Sequence, residues 1–278
     1  MKYIAHIRGT DKQIQTVEEH LLQVRNLAES YGEKIGVKHL TGLAGMLHDL
    51  GKYTDVFRAY IVEAVNNPNS LPKRGSVDHS TAGGRLLYNL FHEKDIVQNK
   101  ALVAEIVGNA IISHHSYLQD FLDPNLESRY LYRVRDKTAK ELDEFEMTKQ
   151  HFFENVMNEI DFHQYVDQAA AELESFLHQA PSEPTEKKLM FLTKFIFSAL
   201  IDADRTNTRL FEENKVAEED INHEVLFTMY YERLMNKINS FSPNTPINQL
   251  RADMSDQCDK FAEKPSDVYT LSIPTGGG

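Results

Sequence analysis

The amino-acid sequence predicts an all-α fold over about its first 240 residues. Apolar residues recur there at the spacing of amphipathic helices, and the first segment with strand character is the final stretch, VYTLSIPTGGG. The chain has 278 residues, 41% of them apolar, with 9 prolines and 13 glycines. It is therefore long enough to bury one large core or two smaller ones.

The first predicted helix begins after Thr16, which opens a capping box with Glu19. Its apolar face follows the i, i+3, i+4 and i+7 spacing of a helix and consists of Val17, Leu21, Val24, Ala28 and Tyr31. Further helices are predicted over residues 40–50, 79–91, 101–115, 137–179, 187–211 and 218–240. A polar loop, NNPNSLPKRGSVD at 66–78, separates two of them and is of the kind that borders functional sites.

The net charge of -12 argues against a protein that binds nucleic acid through a broad basic surface. The negative charge does not exclude local contact with nucleic acid through a metal site. The single cysteine, Cys258, excludes an internal disulfide and suits a reducing compartment. No signal peptide and no apolar run of about 18–20 residues is present. These features predict a cytoplasmic protein without a membrane partner.

Histidines and aspartates fall on inward helix faces or near helix ends in a fixed order. They are His20, His48, Asp49, His79, His114, His115 and Asp204. A lone histidine on an apolar face is more often a hydrogen-bonded core residue than a ligand. We expect the other seven histidines to be such core residues or to lie at the surface: His6, His39, His92, His151, His163, His178 and His223.

The ordered set predicts metal binding, because imidazole and carboxylate are ligands of transition metals such as Mn, Fe, Co, Ni and Zn. One ion would leave ligands to spare, whereas two ions that share a bridging carboxylate would use them all. Such a pair clamps the attacking and leaving oxygens in phosphodiester hydrolysis. The adjacent His114 and His115 can both point at one site only if their helix ends there. Periodicity alone does not separate Asp202 from Asp204 as the last ligand.

Three strings carry a family resemblance: HDLGK from His48, DHSTAGG around His79 and SALIDADR around Asp204. Together with His20 they resemble the H…HD…D signature of the HD-domain metal phosphohydrolases, an all-helical bundle fold. His79 and the pair at 114–115 are similar to the expanded set of the HD nuclease in the CRISPR-associated helicase-nuclease of type I systems. The resemblance spans residues 20–208.

This resemblance implies a role for each residue. One metal would be held by His20, His48, Asp49 and Asp204, and the Ala-Asp-Arg context favours Asp204 over Asp202. Asp49 would bridge to a second metal held by His79, His114 and His115. Asp49 and Lys52 would be the catalytic residues, with Lys52 stabilising charge on the phosphate; the alternative for Lys52 is an exposed lysine at a helix end. Thr208 stands where the family often has a serine near the first metal.

The expected activity is metal-dependent hydrolysis of DNA, preferentially single-stranded. Its cofactors would be one or two divalent ions (Mn, Ni, Co, Fe or Zn, with Mg as a further candidate). The implied partners are single-stranded DNA and, in the full-length family member, the crRNA-guided surveillance complex. Two alternatives stay open: an HD phosphohydrolase acting on nucleotides or cyclic dinucleotides, and a non-catalytic helical scaffold whose buried histidines would each need hydrogen-bond partners.

The end of the chain, Pro274 to Gly278, resembles the start of motif I of superfamily 2 helicases. A phosphate-binding loop needs a following lysine and Ser/Thr, so this chain is not expected to hydrolyse ATP. A flexible glycine tail is the alternative interpretation. The predicted organisation is an HD metal-dependent nuclease domain at 1–240, a linker at 241–248 and the beginning of a helicase domain at 249–278, partly disordered.

Overall fold

The computed structural model describes residues 2–67, 76–93, 97–136, 144–217, 221–242, 244–265 and 267–273. Within these ranges the chain forms eleven α-helices and one two-stranded sheet, which confirms the all-α prediction. It divides into two compact units, Met1–Ala217 and Glu218–Gly278. Among the described residues, no helix combines the length and apolar character needed to cross a membrane.

The first unit begins with a short antiparallel hairpin that the sequence reading missed. Strand β1 (Ile4–Ile7) pairs with β2 (Ile14–Thr16), with an irregular register between Ile4 and His6. Helix α1 follows β2 directly, and Thr16 is its N-cap. The hairpin therefore places Ala5 and His6 beside the start of α1.

Nine α-helices and one 3-10 helix build the described part of the first unit. They are α1 (Val17–Glu33), α2 (Lys38–Leu47), a 3-10 helix (Leu50–Lys52), α3 (Asp55–Asn66), α4 (Thr81–Phe91), α5 (Gln98–Ser113), α6 (Arg129–Val134), α7 (Phe145–Asn155), α8 (Glu159–His178) and α9 (Thr185–Glu212). The helix predicted over 40–50 thus ends at Leu47, and the segment predicted over 137–179 contains two helices, α7 and α8. Helices α3 and α6 were not predicted.

The start of α1 follows the prediction. The Thr16 hydroxyl accepts a hydrogen bond from the Glu19 amide, and the Glu19 carboxylate accepts one from the Thr16 amide at 2.9 Å. This reciprocal pair satisfies two amides that the first helical turn leaves open. The predicted apolar residues Val17, Leu21 and Val24 are fully buried, so the cap fixes which face of α1 points inward.

Helix α2 lies at the centre of the first unit and packs against α1, α8 and α9. Every residue from Leu40 to Leu47 is buried. Glycines permit this close packing: a Cβ at Gly45 would lie 2.9 Å from the Val24 carbonyl oxygen of α1, and a Cβ at Gly83 of α4 would lie 2.1 Å from the Leu47 carbonyl oxygen. Residues that follow Leu47 therefore emerge in the interior of the protein.

The second unit contains α10 (His223–Asn239) and α11 (Pro246–Phe261), and neither helix has a buried residue. Its start at Glu218 differs from the expected domain boundary at 240, and the expected linker at 241–248 overlaps the beginning of α11. The predicted terminal strand is absent from residues 268–273, where no neighbouring strand supplies hydrogen bonds. Pro274 to Gly278 lie outside the described residues. That this unit begins a helicase domain stays a prediction.

Candidate metal centre

Four predicted ligands converge where the end of α2 meets α1 and α9. We call His20, His48, Asp49 and Asp204 the first donor group; one donor atom from each lies within 4.8 Å of the others. His20 Nε2 and His48 Nε2 are both 3.3 Å from Asp49 Oδ2, and they lie 3.5 and 3.6 Å from Asp204 Oδ1. Both imidazoles are fully buried. Four donors with this spacing are suited to one transition-metal ion.

Asp49 also faces a second set of histidines. We call Asp49, His79, His114 and His115 the second donor group. Asp49 Oδ1 lies 3.3 Å from His114 Nε2 and 3.8 Å from His79 Nε2, and His115 Nε2 lies 2.5 Å from His79 Nε2. Helix α5 ends at Ser113, so the two adjacent histidines leave the helix and both reach the site. The two carboxylate oxygens of Asp49 therefore face different donor groups.

Backbone carbonyls fix the orientation of three imidazoles. The Nδ1 atoms of His48, His79 and His114 lie 2.9, 3.0 and 2.6 Å from the carbonyl oxygens of Gly45, Val77 and Ile111. A carbonyl oxygen can only accept, so each Nδ1 carries the hydrogen. In the neutral ring the lone pair then lies on Nε2, the atom that points into the cluster. Each of these rings, when neutral, therefore presents a metal-binding lone pair to the cluster.

Two buried polar atoms in the second donor group support the fit to a cation. Asp49 Oδ1 and His114 Nε2 have no hydrogen-bond partner among the residues that the structure describes. They lie 3.3 Å apart. Leaving such atoms unsatisfied costs about 1–3 kcal/mol each. A divalent cation between them would satisfy both lone pairs, and the residues present therefore fit a metal ion.

Burial and charge set the protonation of the cluster. Burial lowers the pKa of His20, His79 and His115, the last to about 3, so these rings are neutral at neutral pH. Burial also acts to lower the pKa of His48, but the carboxylates of Asp49 and Asp204 outweigh it and raise that pKa to about 10. Without a metal, the proton on His48 thus offsets the charge of the two carboxylates. A bound cation would take the place of that proton and provide the positive charge instead.

Lys52 is buried rather than exposed at a helix end, with 5% of its surface accessible. Its Nζ lies 2.7 Å from Asp49 Oδ2 and 3.3 Å from His6 Nε2, and it donates to the Ala5 carbonyl at 3.4 Å. Burial acts to raise the pKa of Asp49, but His48 and Lys52 outweigh it and hold that pKa well below its usual value. The hairpin β1–β2 thus contributes to the site through its contacts with Lys52.

Asn207 is a site residue that the sequence reading missed. Its Oδ1 lies 2.8 Å from His20 Nδ1 and accepts a hydrogen bond from Gln15 Nε2 at 3.0 Å, and its Nδ2 donates to Gln23 Oε1 at 2.6 Å. This network orients the one imidazole of the first donor group that lacks a backbone acceptor. Asn207 follows Asp204 by three positions on α9, so helical spacing could have indicated it. Thr208, which was considered instead, is half-buried.

Helix periodicity left Asp202 and Asp204 undecided, and the structure places only one of them at the site. Asp204 contributes an oxygen to the first donor group, whereas Asp202 is exposed on α9. The pKa of Asp204 is lowered because the contacts with His48 outweigh the effect of burial. Asp204 is therefore placed as the sequence context indicated, while its role as a ligand stays a prediction.

Arg133 was also missed, and it joins the two segments that carry the second donor group. Its guanidinium donates to Asp78, Ser80 and Thr81, which flank His79, at distances from 2.5 to 3.3 Å. It also donates to the Ile112 carbonyl at 2.6 Å, just before the end of α5. We call this arrangement the Arg133 clamp. No sequence pattern indicates it, because Arg133 lies on α6, more than 50 residues from His79.

The fold and the site define a helical protein with a buried cluster of imidazoles and carboxylates that is suited to divalent metals. The HD domain family model matches residues 17–148, so this part of the chain is similar to an HD domain. The matched range contains all the predicted site residues except Asp204. No curated protein matches the chain. An HD domain implies a metal-dependent phosphohydrolase, and the donor groups fit that chemistry.

Proposed function

We propose that this chain is a metal-dependent nuclease that hydrolyses phosphodiester bonds of DNA, preferentially of single strands. The observation that carries the proposal is the position of Asp49 between two donor groups. One carboxylate oxygen faces His20 and His48, and the other faces His79 and His114. A pair of ions sharing a carboxylate is the arrangement used to displace an oxygen from a phosphodiester.

The metals, when bound, would supply Lewis-acid polarisation of the phosphate and a nucleophile near neutral pH. The residues of the chain hold these charges in place. His20, His48 and His114 are fixed by buried hydrogen bonds, so little reorganisation is needed when the substrate enters. Lys52 places an ammonium group at the Asp49 carboxylate, where it can stabilise the negative charge of an approaching phosphate.

The burial of the cluster supports a preference for single strands. His20 and His48 are fully buried and Asp49 is 2% exposed, while His115 is exposed at the edge of the second donor group. A single strand can bend to bring one phosphate to such a partly closed site, whereas a stiff duplex presents its phosphates on a broad surface. The charge of -12 also favours contact at a few positions over a basic duplex-binding face.

The resemblance noted for His79 and the pair at 114–115 supports a more specific assignment. On that basis, the chain would act as the HD nuclease part of a CRISPR-associated helicase-nuclease, in the cytoplasm, and receive its strand after recruitment by a crRNA-guided surveillance complex. The test is binding of the purified chain, and of a longer form with a helicase domain, to that complex loaded with target DNA. Absence of binding by both forms would contradict the assignment without affecting the nuclease proposal.

The nuclease proposal is tested with the purified 278-residue chain on circular single-stranded DNA. We expect about two transition-metal ions per chain and cleavage that EDTA abolishes. Asp49→Ala should remove both cleavage and metal, whereas the exposed Asp202→Ala on α9 serves as a matched control and should leave both unchanged. Because a circle has no ends, cleavage also identifies endonuclease activity.

Two outcomes would overturn the proposal. A metal-loaded chain that leaves DNA intact but hydrolyses dNTPs or cyclic dinucleotides would be a small-molecule HD phosphohydrolase. A chain that binds no metal and cleaves neither substrate class would favour the helical scaffold. The two outcomes are separated by metal analysis, because only the phosphohydrolase requires the Asp49 donor groups to be filled.

A further inference from the structure

A cavity of about 440 Å³ opens beside the second donor group. Its lining includes two predicted metal ligands, His79 and His115, and three residues of α6, Arg129, Tyr132 and Arg133. We call it the α6 cavity. Its volume lies within the range of pockets that hold small organic ligands. A group bound in it would lie against the histidines that complete the second donor group.

The three α6 residues stand at positions i, i+3 and i+4 and therefore share one face of the helix. Arg133 is committed to the clamp described above. The guanidinium of Arg129 is exposed and makes no hydrogen bond or ion pair with any residue in the described part of the chain. Tyr132 is 51% exposed, and its ring stacks on no other ring within those same ranges. One cation and one aromatic ring are thus available to a ligand.

These two side chains match the two parts of a nucleotide. A guanidinium presents a planar fork of donors that binds phosphate oxygens in pairs. An exposed tyrosine ring offers a face on which an unpaired base can stack. In a chain with a net charge of -12, an arginine without an acidic partner provides a local attraction for an anion.

We propose that the α6 cavity is a nucleotide subsite for single-stranded DNA. Arg129 binds a phosphate next to the phosphodiester bond that is cleaved, and Tyr132 stacks on the neighbouring base. Stacking on Tyr132 requires a base that has left its own stack, so the subsite selects single strands over duplexes. This inference rests on the proposed nuclease function and names the residues that set its substrate preference.

The test measures binding and turnover with the metal-loaded 278-residue chain. Anisotropy with a labelled phosphorothioate oligodeoxythymidine gives the Kd, and cleavage of the ordinary phosphodiester oligomer gives kcat and KM. Arg129→Ala and Tyr132→Ala should each raise Kd and KM about tenfold, with kcat and metal content close to those of the unsubstituted chain. Arg129→Ala should also lower the slope of log Kd against log salt by about 0.7, whereas Tyr132→Ala should leave that slope unchanged.

Matched controls are available for both substitutions. Arg135 is exposed just beyond the end of α6, pairs with Asp136 and does not line the cavity. Tyr230 has the same 51% exposure as Tyr132 and is likewise not part of the lining. Arg135→Ala and Tyr230→Ala should keep the original Kd, KM and salt slope. Equal values for Arg129→Ala, Tyr132→Ala and these controls would overturn the subsite.

The subsite and the nuclease proposal can fail separately. If the chain cleaves DNA and neither α6 substitution changes KM, the subsite proposal is wrong and the nuclease proposal stands. If both substitutions weaken binding of the oligomer but no form of the chain cleaves it, the subsite proposal stands and the nuclease proposal is wrong. If dTMP displaces the oligomer at equal concentration of nucleotide units, the cavity binds free nucleotides rather than a strand, and the single-strand proposal is wrong.

Discussion

Lys52 and Asp49 form a buried pair at the centre of the site, with Lys52 Nζ 2.7 Å from Asp49 Oδ2. The same oxygen faces His20 Nε2 and His48 Nε2 at 3.3 Å. The ammonium group therefore lies at the edge of the first donor group, where a cation bound to Asp49 and a phosphate would both feel its charge. The ammonium group repels the cation and attracts the phosphate.

Substituting Lys52→Met separates these effects. The ammonium repels a metal ion, so its removal should leave the metal content at least as high as before. It stabilises charge on the phosphate, so kcat for DNA cleavage should fall about 100-fold. Metal analysis and single-turnover cleavage check the two parts. Lys34→Met, at an exposed lysine, is the control; loss of metal from Lys52→Met with normal turnover per bound ion would contradict this role.

Substituting Asn207→Leu should weaken metal binding at the first donor group. Without the Asn207 acceptor, the His20 ring loses the hydrogen bond at Nδ1 that directs Nε2 into the cluster. Loss of such a partner typically lowers metal affinity about 10- to 100-fold. Asn207→Asp keeps an oxygen acceptor and should restore most of the affinity. Titration with a competing chelator measures both, and equal affinity of the Leu and Asp variants would show that Asn207 acts only in packing.

Substituting Arg133→Gln should affect the second donor group alone. The clamp links the segment around His79 to the end of α5, and a glutamine cannot reach both. We expect the affinity for one of two metal ions to fall about tenfold or more, with the other unchanged. Arg135→Gln is the matched control. A variant that melts at lower temperature but binds both ions normally would reduce the clamp to a structural role.

Sequence patterns were sufficient for the parts of the fold that are local. The capping box and apolar stripe of α1 appear as predicted because both depend on residues within a few positions of one another. Strand β1 and helix α6 were missed, since four and six residues are too few to show a period. Helix α3 was missed because it has only one buried residue, Phe57, and so lacks a strong apolar stripe.

The sequence predicted which residues form the site, but not how they are arranged in space. His20, His48, Asp49, His79, His114, His115 and Asp204 were selected by order and resemblance, and the structure brings them together. The residues that support these ligands could not be predicted in the same way. Arg133 reaches the site across the fold, and His6 arrives on the unpredicted strand β1, so neither has a local signal.

Substituting Asp204→Asn tests the last member of the first donor group. The change removes a negative charge that lies 3.5 Å from His20 Nε2 and 3.6 Å from His48 Nε2, with little change of volume. A neutral amide is a weaker ligand for divalent ions than a carboxylate, so metal affinity should fall about 10-fold or more. Calorimetric titration measures it. Asp202→Asn has the same chemistry on an exposed face of α9, and a similar loss there would mean that net charge, not ligation, is responsible.

The packing of α4 against the end of α2 provides a stability prediction for the scaffold of the site. A Cβ at Gly83 would lie 2.1 Å from the Leu47 carbonyl oxygen, and that atom belongs to the backbone just before His48. Gly83→Ala should therefore push the two helices apart and lower the free energy of unfolding by about 1–3 kcal/mol. Thermal denaturation in EDTA measures the effect without a contribution from bound metal. Gly9→Ala is the control, because a Cβ there meets nothing within 4 Å. If both variants melt at the temperature of the unsubstituted chain, α4 does not approach α2 at Gly83 as closely as the structure indicates.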